Sequence, residues 1–377
     1  VVRDSLTTPD AIAHVVSHAV RHGFNTLLVQ VRGRGEAYYE GGPDPRAPAL
    51  AGQPPAFDPL RRVLDDAHAA GLQVHAWINV NLVASATYLP VSRDHVANRH
   101  PEWLMVPRAL AQDLVRQPAH GPGYIGKIAR WARAQPDVEG LYLSPIAPAA
   151  ASYSVAVVED LVRRYPLDGI HLDYLRYPGP DFDYSRLALD EFEASMATTV
   201  TPAERRLLTA RAGDDVLAWA DAYPERWADF RRSRLTALLM RIRTGLRRLR
   251  PGLPLSAAVS PHADEAASAR FQDWPLWAES GLLDVLCPMA YTTDLATFRG
   301  QIGDAVRSTP AALVWAGIGA YRLSPPQTVE HIRAARTAGA HGVALFSYDA
   351  IAAGSAEAYL ETIRRSAFAT SSPGQAR

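Results

Sequence analysis

Lysine is almost missing from this chain: Lys127 is the only one, and arginine supplies the rest of the 39 basic residues. A bias of that kind follows codon usage in a GC-rich genome and carries no functional weight. Cysteine is equally scarce. Cys287 alone excludes an internal disulfide framework and any Cys-rich metal site, and its apolar setting, Leu282 to Met289, predicts a buried structural thiol. Neither sign of charge is in excess, with 39 basic against 39 acidic residues. No overall field therefore draws the protein to nucleic acid or to an acidic membrane, and a small or neutral substrate is expected. No apolar run approaches the roughly 20 residues that a membrane span needs. The opening Val1-Val-Arg-Asp4 has no signal-peptide pattern and no initiator methionine, from which a trimmed N-terminus with a removed leader is expected.

Three catalytic signatures are also missing. The Gly33/Gly35 turn lacks the third glycine of a dinucleotide-binding fingerprint. No Gly-x-Ser-x-Gly elbow supports a serine hydrolase. The His-x-His of a metal-dependent barrel is reduced to His75-Ala-Trp77, so neither metal nor cofactor is expected.

What is present is alternation. Thr8-Pro9 opens an amphipathic helix that Gly23 stops, and Phe24 to Val31 follows as a strand. Asp58-Pro59 opens the next helix, closed by Gly71 before the strand Leu72 to Val80. Further strands are predicted at Leu167–Leu172, Leu255–Ser260, Leu283–Ala290, Leu313–Ile318 and Val343–Tyr348. Helical stretches separate them, the last running from Ser355 to Arg365. With Val1–Arg3 counted as the stub of a first strand, there are eight strands, each followed by a helix. That order implies an α/β fold with parallel strands and right-handed crossovers, and eight units favour a (β/α)8 TIM barrel with a truncated first strand. One barrel is expected over residues 1–368, with long insertions at about 81–140 and 178–225 after strands three and four, and a disordered tail at 369–377. Both insertions would rise from the face where barrel strands end, and TIM barrels place their sites there.

The strand Asp168-Gly-Ile-His-Leu-Asp173 carries the sharpest chemical signal. Period-two alternation turns Ile170 and Leu172 to one side and His171 and Asp173 to the other. In a barrel the apolar side meets the helices, leaving Asp173 inward at the upper rim. The strand before it repeats the pattern with His75, Trp77 and Asn79, and Gln30 and Arg32 point inward from the strand before that. Inward histidines serve equally to orient a neighbour, and Trp77 to fill the core. Tyr174-Leu-Arg176 combines an aromatic face with a forked donor, which suits a carbohydrate. Tyr291, Trp315 and Tyr348 recur at other strand ends and extend a possible sugar groove.

The order and spacing of these segments resemble the family-ten glycosyl-hydrolase-like proteins, a group of exported bacterial TIM barrels. The resemblance rests on Gly23-Phe-Asn-Thr26, Gln30-Val-Arg-Gly-Arg-Gly-Glu-Ala-Tyr-Tyr39 and Phe57-Asp-Pro-Leu60, then on Ala67 to Asn79, His100-Pro-Glu-Trp-Leu104 and Tyr142-Leu143. It continues through Asp168 to Pro178, Val259-Ser-Pro261 and Asp284 to Tyr291. It implies hydrolysis of glycosidic bonds, with peptidoglycan glycan strands as the substrate of some members, and export from the cytoplasm. By position it implies that Asp173 is the principal catalytic carboxylate and that Arg32, His75, Trp77, Asn79, His171 and Arg176 line the site. Glu36 stands where relatives often carry Asp, and Met289 where Gln is frequent.

Most glycosidases use two carboxyl groups, one of them protonated at working pH. The expectation is that Asp173 acts as nucleophile or charge stabiliser, held ionised by Arg32 and by His75 or His171. Glu36 is favoured as its acid partner, ahead of Glu102, Asp264, Glu265, Asp294 and Asp349. The alternative is a sugar-binding barrel without catalysis. A metal-dependent hydrolase is a third reading. Oligomeric state is not legible.

Overall fold

In the computed structural model, residues 1–354 and 356–368 are described. The Ser355 start expected for the last helix and the expected tail, 369–377, fall outside them. The chain folds as an α/β barrel whose main sheet holds seven parallel strands. The strands are β1 (Thr26–Arg32), β2 (Gln73–Asn79), β5 (Gly169–Asp173), β6 (Leu255–Val259), β7 (Val285–Pro288), β8 (Leu313–Gly319) and β9 (Gly342–Phe346), adjacent in that order. Helices cover the outside, where Val74, Ala76, Ile78, Ile170, Leu172 and Leu255 are buried at no more than 1% exposure. Both faces of a parallel sheet must be covered, which explains why these strands read as near-continuous apolar runs apart from the inward polar residues.

The expected stub at Val1–Arg3 is not a strand. Arg3–Leu6 form a 3-10 turn, and Val1 keeps the ladder role, with its amino group donating to Leu28 O (2.9 Å) and its carbonyl accepting from Gln30 N (3.0 Å). The sheet is therefore open between β9 and β1, where Val1, Leu28, Trp315, Leu345 and Tyr348 line a cavity of about 430 Å³.

The long segment expected after β2 has its own architecture. It contains β3 (Leu82–Ser85) and β4 (Gly140–Tyr142), paired antiparallel, with three short helices between them, Val96–Arg99, Arg108–Leu114 and Tyr124–Arg133. The second insertion folds into the helices Arg186–Met196, Pro202–Ala212 and Ala218–Ala222. No described helix is long and apolar enough to cross a membrane.

Candidate active site

Parallel pairing of β2 with β5 sets the frame. Asn79 lies opposite Asp173, Trp77 opposite His171 and His75 opposite Gly169. A side chain at 169 has no room: a Cβ there would lie 2.4 Å from the His75 ring. Glycine lets the histidine turn into the barrel.

Asp173 sits at the last position of β5, partly open at the rim. Its Oδ1 accepts the Tyr174 amide at 2.7 Å. Burial raises its carboxyl to about 6; Arg176, the Tyr174 amide and the Trp77 indole pull against that rise, and the charge of Glu139 adds to it. Tyr174 takes up a left-handed backbone, φ 50°, which costs a residue with a Cβ about 1–2 kcal/mol. That turn aims its amide at Asp173 and lays its ring 4.7 Å beneath the Arg176 guanidinium.

Arg176 is buried and ion-paired, Nη2 to Glu139 Oε1 at 2.6 Å, while the Tyr142 hydroxyl donates to Glu139 Oε2 at 2.5 Å. Aromatic rings complete the surroundings. Tyr291, whose phenol is pushed up by burial and by the Asp173 charge, stacks on Phe346 (5.5 Å, 10°). Phe346 also meets Trp77 at 6.0 Å, and Tyr321 meets both Tyr291 (6.1 Å) and Phe346 (6.0 Å) edge-on. Tyr142 and Tyr174 face each other at 6.1 Å. Aromatic faces and a buried arginine around a protonatable carboxyl suit a sugar with its C–H faces and hydroxyls.

Beneath this rim the inward polar residues partner one another. Asn79 Oδ1 accepts from Trp77 Nε1 (2.9 Å) and Gln30 Nε2 (3.3 Å), and Asn79 Nδ2 donates to Gly33 O (2.7 Å). His171 is bonded through Nδ1 to Ser256 Oγ at 2.9 Å and is lowered to about 3, chiefly by burial. His75, also lowered by burial, packs 5.5 Å from Trp315, and its Nδ1 has no partner among the described residues. Both histidines are thus neutral at ordinary pH.

Several sequence expectations meet a different geometry. Arg32 does not reach Asp173. It is fully buried, with Nε 2.6 Å from Asp44 Oδ2 and Nη1 donating to the carbonyls of Asn79 and Val80, and Tyr153 donates to the same Asp44 at 2.6 Å. Neither it nor the neutral histidines can hold Asp173 ionised. Glu36 is raised by burial, and its charged neighbours are Arg3, Arg34 and Asp44. Asp173 is governed first by burial, and the charges that act on it are those of Arg176 and Glu139. Trp315 lies low on β8, level with Gly342, and Tyr348 turns outward to His18 Nδ1 (3.0 Å). Both line the cavity between β9 and β1, and neither joins the Tyr291 wall.

Of the other acids expected as partners, Glu102, Asp294 and Asp349 are engaged elsewhere. Glu102 lies between His100 (3.2 Å) and His120 (3.3 Å). Asp264 and Glu265 are exposed in the first turn of Ala263–Ala269, and Asp294 caps Leu295–Ser308 through the Thr297 amide. Asp349 accepts from Val2 N (2.7 Å) and Ser5 Oγ (2.5 Å). Reading the sequence misses Glu139, Tyr142, Tyr321 and Phe346. The Tyr142-Leu143 motif was the one signal near Glu139. Among the described residues no cluster of three or more His, Cys, Asp or Glu could hold a metal ion.

The chain is similar to known proteins. Glycosyl hydrolase DigH of Escherichia coli K12 is 25% identical over 345 residues, covering 85% of this chain and 67% of DigH. Glycosyl hydrolase YngK of Bacillus subtilis 168 is 27% identical over 161 residues, 41% of this chain and 26% of YngK. Among solved structures, the glycoside hydrolase domain of PgaB (BpsB) from Bordetella bronchiseptica superposes with a TM-score of 0.63 at 16% identity, covering 96% of each chain. Alpha-L-fucosidase isoenzyme 2 from Paenibacillus thiaminolyticus gives 0.61 at 16% identity, over 95% of this chain and 45% of its own. At those identities the likeness shows the fold. Residues 4–322 match the family described as Glycosyl hydrolase-like 10, and the chain belongs to that family.

Proposed function

We propose that the chain hydrolyses glycosidic bonds in a bacterial cell-wall glycan or a related polysaccharide, with Asp173 as its principal carboxyl group. The observation that carries this is the state of Asp173: a carboxyl at a barrel strand end, raised to about 6, beside a buried arginine and a wall of aromatic rings. A carboxyl so placed keeps part of its protons near neutral pH and can deliver one to a departing glycosidic oxygen. The role we propose is therefore proton donor, in place of the nucleophile or charge stabiliser expected from sequence. Family membership and the named relatives support the reaction class. The motif resemblance supports the cell-wall choice, and a protein acting on that polymer works outside the cytoplasm.

Incubation with purified glycan strands and with several polysaccharides, followed by mass analysis of products, tests the reading. Fragments shortened at glycosidic bonds are expected from the parent, and a rate lower by roughly 10²- to 10⁴-fold from Asp173→Asn. Undiminished product from the variant would overturn the role of Asp173.

A further inference from the structure

We infer that Glu139 is the second carboxylate of this site, the base that takes a proton from the attacking water while Asp173 gives one to the leaving oxygen. The inference rests on the glycosidase reading above.

Glu139 precedes β4, so its placement is set by how that strand is hung on the barrel. The parallel ladder of β5 runs past its end, with Val80 N donating to Asp173 O (2.8 Å) and Asn81 N to Tyr174 O (3.2 Å). Asn81 then holds the end of β4 through two bonds to the next residue: Leu143 N donates to Asn81 O (2.7 Å) and Asn81 Nδ2 to Leu143 O (2.9 Å). Asp173 is thus tied to Val80, and Leu143, the residue that follows β4, to the next residue, Asn81. No flexible loop separates them.

The carboxylate itself is set up to accept a proton. Arg176 Nη2 donates to Oε1, Tyr142 OH to Oε2, and the residue's own amide also bonds the carboxylate, whereas an ionised carboxylate has about four acceptor positions. The side chain is 35% exposed, so water reaches it. Burial would raise its proton affinity, but the charge of Arg176 and the hydrogen bonds from Tyr142 and Arg176 outweigh burial and hold it below the ordinary range. Glu139 in turn raises Asp173. Two carboxyl groups pushed apart in this way take the roles of base and acid. Arg176 and Tyr142 are positioning residues.

The step balances without any further reagent. Asp173 gives its proton to the glycosidic oxygen as the C1–O bond breaks. The water oxygen bonds to C1 and loses a proton to Glu139. The proton returns from Glu139 to Asp173 through solvent, resetting both groups. Water attacks from the face opposite the leaving group, so the product anomer is inverted.

Proton NMR of the first-formed anomer, pH–rate profiles and two variants test the assignment. Inversion is expected; retention would overturn it. The parent's rate should fall above about pH 6 as Asp173 loses its proton, and fall again on the acid side, below the ordinary glutamate range, as Glu139 gains one. Glu139→Gln, checked for native circular dichroism, should lose at least 100-fold in rate, and azide should restore part of the activity of Glu139→Ala. Tyr142→Phe removes a donor from Glu139 and should move the acid limb to higher pH while activity persists. Cleavage by Glu139→Gln at near-parent rate with an unchanged profile overturns this role and leaves the glycosidase reading standing. Failure of the parent to cleave any glycan overturns that reading and this role with it.

Discussion

A carboxyl raised to about 6 holds its proton more tightly in the folded chain than in the unfolded one, where about 4 is usual. Its contribution to stability is therefore full below pH 4 and is lost as pH rises through 6. Asp173→Asn removes that loss while keeping an acceptor for the Tyr174 amide. The variant is expected to be more stable than the parent by about 2 kcal/mol at pH 8, after allowance for the partly open rim, and equal to it below pH 4. Urea midpoints across pH measure this, and a constant difference would contradict it. At this scale the inward direction of Trp77, Asn79 and Asp173 was legible because alternation fixes which way a strand residue points. Arg32 was misread because alternation cannot say which partner an inward side chain finds. Asp44 lies twelve residues on, in an irregular loop with no periodic signal, and it captures the guanidinium first. Glu139 was missed for a related reason: it belongs to neither a barrel strand nor a strand end.

Among the elements, β5 shows most plainly how one residue type serves its neighbour. Gly169→Ala would press a Cβ into the His75 ring at 2.4 Å, and both lie in a closely packed layer with little freedom to shift. A loss of about 1–3 kcal/mol is expected, read from thermal or urea unfolding. Parent-like stability would mean that His75 can turn away at no cost. The barrel strands and their helices were legible from apolar runs punctuated by Pro and Gly. The β3–β4 pair was not, since strands of four and three residues carry too little periodicity, and 54 residues separate Ser85 from Gly140. Only tertiary pairing makes such segments strands.

Across the whole molecule, opposite titrations share one barrel. His171 is lowered to about 3, so the folded chain binds fewer protons than the unfolded chain between about pH 6.5 and 3, and stability falls as the solution is acidified through that window. Asp173 works the other way from about 6 to 4. Considered as a pair, they largely cancel between pH 4 and 6, and the histidine prevails below 4. The parent's urea midpoint should be nearly flat over the first interval and drop below it, while His171→Asn should soften the drop. An equally steep fall in that variant would assign acid sensitivity elsewhere. The barrel class was legible from the order of units, but the first unit was not. Val1 has the hydrogen bonds of a strand residue without the strand, a distinction that lies in backbone angles and not in composition. The left-handed turn at Tyr174 has a wider meaning. A chain shaped for longevity alone would place glycine there, so this molecule gives up some of its lifetime at one residue in order to keep an aromatic face and a proton donor in register.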